Sequence, residues 1–287
     1  MKAPAKPGVT AAGWNPHRED PRTPGVQDAT AQSDRSNAIS LTRLPFARDS
    51  SPGPVTKRIE ALDWSSIERD LDAYGCAVTP KLLSPETCRE LQALYLDDVR
   101  FRSRVVMGSH GFGRGEYKYF AYPLPEPIVE LRLHFYSKLA ALADRWNEAM
   151  GVLVRYPAEH EAFLARCHEA GQARPTPLLL RYGPGDYNCL HQDVYGAHLF
   201  PLQIAILLSE PGVDFDGGEF VLTEQRPRMQ SRAEVVSLRQ GDGVIFAVRE
   251  RPVQGARGIY RVNLRHGVSR IKGGERFTLG VILHDAG

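Results

Sequence analysis

From about residue 175 onward, short apolar runs alternate with turn residues. Residues 178–182 (Leu-Leu-Leu-Arg-Tyr), the Gly183-Pro184-Gly185 turn and residues 187–190 read as strand, turn, strand. Residues 200–208 form an apolar run of buried-strand length, residues 217–222 open another strand, and residues 241–246 supply one more. This rhythm predicts a mainly β fold, a double-stranded β-helix (a jelly-roll, cupin-like barrel of antiparallel sheets) with its core at about 175–286. Upstream the period changes. Trp64, Ile67 and Leu71 fall near helical spacing, and Ser84-Pro85 reads as an N-cap with proline at N1, opening a helix through Leu91, Leu94 and Tyr95. Leu131, Phe135, Leu139, Leu142 and Trp146 mark a longer helix over 129–150. These helices are expected to buttress the barrel from its N-terminal side.

Residues 1–57 break the pattern. They are rich in Pro, Ser, Arg and Asp and show no sustained apolar period, which predicts a disordered N-terminal extension ahead of one catalytic domain over 58–287. The stretch lacks the apolar centre of a secretory signal. Its five acidic residues (Glu19, Asp20, Asp28, Asp34, Asp49) argue against a mitochondrial presequence. No segment reaches the length of an apolar membrane helix. Four scattered cysteines (Cys76, Cys88, Cys167, Cys189) fit neither a disulfide framework nor a zinc site, and together these features predict a cytoplasmic protein. Cys189 is expected to be a small buried hydrophobe.

Within the barrel, one constellation carries chemistry. His191 and Asp193 are spaced i, i+2, so on a strand they share a face, and a later strand can deliver His266 as a third ligand. An isolated His-x-Asp arises often by chance, and a lone histidine is more often a satisfied core or surface residue than a ligand. The strands predicted on both sides shift the balance toward a metal. Two histidines and one carboxylate on one face, with the other face open, is the donor set of non-haem Fe(II) oxygenases. Arg276 follows His266 by ten residues, beyond Gly273-Gly274, where it can occupy the neighbouring strand and grip a distal carboxylate with its planar fork. The expected activity is that of an Fe(II)- and 2-oxoglutarate-dependent dioxygenase.

A resemblance sharpens this reading. Arg181-Tyr182-Gly183-Pro184-Gly185 followed by Leu190-His191-Gln192-Asp193 resembles the corresponding segment of AlkB-type nucleic-acid demethylases. Gly217-Gly218-Glu219, Gly241-Asp242, His266-Gly267-Val268 and Gly274-Glu275-Arg276-Phe277-Thr278-Leu279 look more like prolyl-hydroxylase-type oxygenases. From about Trp64 to Ala286 the chain most resembles a bacterial family of 2-oxoglutarate/Fe(II) oxygenases predicted to act on damaged DNA bases. The marks of that family are residues 117–125, residues 175–182 and Arg265-His266-Gly267-Val268-Ser269-Arg270. The resemblance implies iron held by His191, Asp193 and His266. It also implies 2-oxoglutarate held by Arg276 with Thr278 and Tyr182, O₂ as co-substrate and ascorbate as a possible helper. The chain departs from the AlkB pattern in having Leu180 two places before the tyrosine, Val194-Tyr195-Gly196 after His-Gln-Asp, and no second arginine after Arg276.

Charge bears on the substrate. The whole chain is only +2, yet from Arg226 to Arg276 eleven arginines and one lysine stand against four acidic residues, a net +8. Arginine is the preferred phosphate ligand, so the cluster favours an anionic substrate; solvated strands are the plainer account. Residues 101–120 interleave Gly, Arg, Lys and aromatics, which suits a mobile segment able to stack a base and touch phosphate; a hairpin packed on the barrel is the alternative. The leading expectation is oxidative demethylation of alkylated DNA or RNA bases, with a protein or amino-acid (prolyl-type) hydroxylase as the alternative. Neither the primary substrate nor the oligomeric state is fixed by these patterns.

Overall fold

The computed structural model describes residues 54–287. The expected extension over 1–57 falls almost wholly outside them, but its last four residues already belong to helix α1 (Pro54–Glu60), which buries Val55 and Ile59. α2 (Trp64–Tyr74) is capped by Asp63, whose side chain accepts from the Ser66 amide. Strand β1 (Cys76–Thr79) follows. α3 (Pro85–Ala93) starts as the sequence indicates, with Ser84 accepting from the Thr87 amide and proline at N1. It gives way to 3₁₀ turns over Leu94–Leu96 and Asp98–Arg100, so Leu94 and Tyr95 lie outside the α-helix.

Residues 101–120 are not a free loop. They form β2 (Phe101–Val106), β3 (Gly113–Arg114) and β4 (Glu116–Phe120). Next comes α4 (Glu126–Ala149), which buries Leu131, Phe135, Leu139, Leu142 and Trp146 at the expected spacing, and then α5 (His160–Glu169). The remaining strands are β5 (Leu178–Tyr182), β6 (Tyr187–His191), β7 (Leu202–Leu207), β8 (Phe215–Gly217) and β9 (Phe220–Gln225). They continue as β10 (Arg232–Val236), β11 (Gly243–Ala247), β12 (Glu250–Gly255), β13 (Gly258–Val268), β14 (Ile271–Gly274) and β15 (Arg276–Val281).

Two antiparallel sheets result. The larger runs β1-β11-β7-β15-β5-β4-β2; the smaller runs β10-β9-β13-β6-β3, with β12 also on β13. Their facing surfaces enclose the interior of a double-stranded β-helix, the fold class expected from the strand rhythm. The larger sheet buries both faces in its centre: every residue of β7 and β11 is buried, which is why those segments read as unbroken apolar runs. The smaller sheet alternates, with Val262, Leu264 and His266 inward and Arg261, Asn263 and Arg265 outward.

α4 closes the outer side of the larger sheet. Its buried Arg132 donates through Nε to the Ile282 carbonyl and through Nη2 to Asp285 at 2.8 Å. Among the described residues no helix is long and apolar enough to cross a membrane.

Candidate metal centre

His191 ends β6 and stands directly opposite His266 of β13, so both side chains leave the smaller sheet on the same face. Gly267 permits this approach: a Cβ there would sit 2.6 Å from the Asn188 carbonyl oxygen. Asp193 lies not on the strand, as the i, i+2 spacing suggested, but two residues past its end, and it turns inward from there. One ligand atom from each of His191, Asp193 and His266 falls within 4.8 Å of the others. The two imidazole centroids are 4.2 Å apart, and each Nε2 lies 3.5 Å from an Asp193 oxygen.

The surroundings set the tautomers and charges. His191 Nδ1 is 2.8 Å from the Cys189 carbonyl oxygen, which can only accept, so Nδ1 carries a proton and the ring is held with Nε2 toward the cluster. Burial, then the neighbouring His191, holds His266 below the ordinary histidine range, in the neutral form a ligand needs. Burial alone would push the Asp193 carboxyl up. The two histidines and the Gln203 amide outweigh it and hold the group well below the usual carboxylate range. Phe246, 4.5 Å from the His266 ring centre, and Phe220 at 6.0 Å wall the site. Three donors of the right kinds within 4.8 Å of one another, one histidine oriented from behind, fit a divalent iron of the facial type.

The second constellation is on the opposite sheet. Arg276 follows His266 closely in sequence but occupies β15 of the larger sheet, across the interior from β13, not the neighbouring strand. The chain makes the crossing through β14 and the positive-φ turn at Gly274. Arg276 is only 2 % exposed, yet among the described residues it forms no ion pair. Its Nη1 donates to Thr278 Oγ1 at 2.5 Å and its Nε has no partner. Arg132 and Arg251, equally buried, meet Asp285 and Glu224 respectively. Tyr182, opposite Arg276 on β5, is fully buried, and its ring centre lies 5.7 Å from the guanidinium carbon. Burial pulls Arg276 down to about 10, the mark of a cation lacking its counter-ion. A cavity of ≈ 260 Å³ opens onto this group, lined among others by Leu207, Phe215, Gly218, Phe220 and Leu238. Gly218 makes the room, since a Cβ there would lie 2.9 Å from Arg276 Cδ.

Residues 115–286 match the family model Oxygenase-NA, described as oxygenases catalysing oxidative methylation of damaged DNA. The chain belongs to the Oxygenase-NA family. It is an oxygenase of the 2-oxoglutarate- and Fe(II)-dependent class, whose donor set is the one built by the two histidines and the carboxylate. Two uncharacterized proteins of Mycobacterium tuberculosis, MT2286 and Rv2227, are each 47% identical over 167 residues, spanning 58% of this chain and 72% of theirs. Among solved structures, a Pseudomonas putida prolyl-4-hydroxylase aligns with a TM-score of 0.43 at 16% identity, covering 76% of this chain and 96% of that one. A 2OG-Fe(II) oxygenase family protein from Burkholderia pseudomallei aligns with a TM-score of 0.45 at 16% identity, covering 79% and 94%.

Some residues of this oxygenase's site escaped the sequence reading. Gln203, the second residue of β7, hydrogen-bonds Asp193, and its signal was a lone amide inside an otherwise apolar run. Tyr117 and Tyr119 project from β4 onto the inner face, with ring centroids 5.4 Å apart, and feel the Asp193 charge. Phe120 faces the other way into the core, 4.7 Å from Phe101, and is no substrate contact. Cys189 is exposed, not buried as expected.

Proposed function

We propose that this oxygenase removes alkyl groups from damaged nucleic-acid bases by oxidising them. Arg276 carries the co-substrate half of the reading. A buried guanidinium without a counter-ion is costly, and a ligand carboxylate received in its fork, with Thr278 and Tyr182 beside it, removes that cost. His191, Asp193 and His266 would hold the iron. When bound, Fe(II) supplies dioxygen activation coupled to conversion of 2-oxoglutarate to succinate and carbon dioxide, and thereby an oxidant for a substrate C–H bond.

The protein's own contribution is placement and exclusion of water. Gln203 and the Cys189 carbonyl fix two of the ligands, Phe246 and Phe220 shield His266, and Arg276 sets the orientation of the oxo-acid. The family description supports damaged DNA as the substrate. On an N-methylated base, hydroxylation of the methyl carbon gives a hemiaminal that releases formaldehyde, so oxidation takes the methyl group off. A base in a duplex must first leave the stack to reach a site walled by two sheets.

Mass spectrometry of N-methylated oligonucleotides incubated with the protein, Fe(II), 2-oxoglutarate and ascorbate tests this. The expected result is loss of the methyl group with formaldehyde and succinate released in equal amounts. Hydroxylation of a proline-containing peptide, with the oligonucleotides untouched, would replace this reading by the peptide hydroxylase.

A further inference from the structure

Arg102, half-buried, shares with Arg276 a buried nitrogen that has no partner. It sits where the β2–β4 register shifts between Phe101 and Ser103. Its guanidinium carbon lies 4.4 Å from the Tyr119 ring centre, and its Nε donates to the Pro175 carbonyl at 2.8 Å. Its Nη2 is buried with no partner, and among the described residues no carboxylate pairs with it. Arg174 adds a second positive charge nearby. Arg102 and Arg276 are the two arginines among the described residues that combine a buried unpartnered nitrogen with the lack of an ion pair; Arg251, whose Nε is also unpartnered, is paired through Nη2 to Glu224.

Strand register separates the two. Tyr119 is opposite Leu178 and Arg276 opposite Tyr182, four residues apart on β5, or roughly 13 Å at ~3.3 Å per residue. Asp193 belongs nearer the Arg102 end. Its partner Gln203 precedes Ile204, which faces Val281 at the far end of β15 from Arg276. From Asp193 toward Arg102 runs a polar wall of Tyr117, Tyr119 and Tyr195, in which the Tyr119 hydroxyl bonds both of the others. An oxo-acid stretched from the ligand triad to Arg276 leaves this wall free for the substrate.

We infer that Arg102 anchors the substrate by a phosphate oxygen of the nucleotide whose base faces His191, Asp193 and His266. The inference rests on the damaged-nucleic-acid reading. A planar fork matches phosphate oxygens two at a time. Arg174 beside it suits a group bearing more than one negative charge. Tyr119 holds the fork from behind through its ring face.

The test is equilibrium binding, without turnover, to the full-length protein of three probes: inorganic phosphate, an N-methylated nucleoside and its 5′-monophosphate. The wild type is expected to prefer the monophosphate over the nucleoside by at least about ten-fold, the yield of one to two charge-assisted hydrogen bonds. In Arg102→Ala the preference should shrink to about two-fold, and Arg102→Lys, which keeps the charge and the stem, should retain part of it. An unchanged preference in Arg102→Ala overturns the inference while leaving the base-oxidation reading intact. If the wild type binds neither nucleoside nor nucleotide, that reading fails instead, and phosphate alone decides: affinity lost in Arg102→Ala supports an anion site, affinity absent or unchanged overturns it. Selective binding of an acidic peptide with none of phosphate also overturns it. Melting curves of both variants exclude loss of fold as the cause.

Discussion

Arg276 is a buried charge that no carboxylate among the described residues neutralises. Its energetic signature follows. Arg276→Met keeps most of the volume and removes an unpaired buried cation, so the ligand-free variant should melt no lower than the wild type. Added 2-oxoglutarate should raise the wild-type Tm and leave the variant unmoved. Arg276→Lys keeps the charge but not the fork, and the 2-oxoglutarate KM should rise ten-fold or more, in line with loss of a charge-assisted hydrogen bond worth roughly 1.5–3 kcal/mol. A variant that melts well below wild type without ligand would mean the charge is compensated within the protein. Asp193 behaves oppositely. Asp193→Ala leaves two imidazoles 4.2 Å apart with no anion between them, and Fe(II) binding measured by calorimetry should fall from one equivalent to none.

Among the elements, what the sequence revealed depended on how each is buried. β5, β7 and β11 were legible because the larger sheet is covered on both faces and its strands are continuous apolar runs. α4 was legible from its apolar stripe, and α3 from Ser84 and Pro85. α5 was not, because it is short and buries only His160, Phe163 and Cys167. β2 to β4 admitted two readings, a mobile segment or a hairpin packed on the barrel, because glycines and cations dilute the alternation; the paired strands are the hairpin. That segment bridges the sheets, β4 pairing with β5 of the larger and β3 with β6 of the smaller, a long-range role no local pattern encodes. Its two faces therefore respond differently to mutation. Phe120→Ala empties a core position and should cost about 3–5 kcal/mol in denaturant unfolding, with Fe(II) affinity unchanged. Tyr117→Phe keeps the packing and gives up one buried hydrogen bond to Tyr119, so stability should fall by only about 1 kcal/mol while substrate turnover falls. If Phe120→Ala instead spared stability and impaired only turnover, the hairpin would not be packed as described.

For the whole molecule, the basic stretch is less basic than its count implied. Glu224, just outside it, pairs with both Arg226 and Arg251, and Glu250 lies near Arg249 and Arg261. Arg226 and Arg251 are thus structural cations held by one carboxylate of β9, and the Arg251 pair joins residues 27 apart in sequence. Two buried histidines outside the triad, His160 and His284, by contrast form no ion pair among the described residues that would hold a proton on them. Burial lowers His160 to about 4, where its Nε2 lies 2.8 Å from the Leu283 carbonyl. Burial, then the Arg132 charge, lowers His284 likewise to about 4, and its Nδ1 accepts from the Phe200 amide. In the unfolded chain both return to about 6.5. Between those values the unfolded state binds protons that the folded state refuses, so acid favours unfolding there. Each residue should make stability fall by about 1.4 kcal/mol per pH unit across that window, roughly 3 kcal/mol in all, with no such dependence above neutrality. Urea unfolding at pH 7, 6, 5 and 4.5 measures the slope. His160→Gln keeps a donor of similar size but cannot titrate, and its stability should decline less steeply than that of the wild type by about 1.4 kcal/mol per pH unit. Parallel slopes for the two proteins would show that His160 takes up its proton without unfolding, and so is not held as firmly between Tyr136 of α4 and the Leu283 carbonyl as its burial indicates.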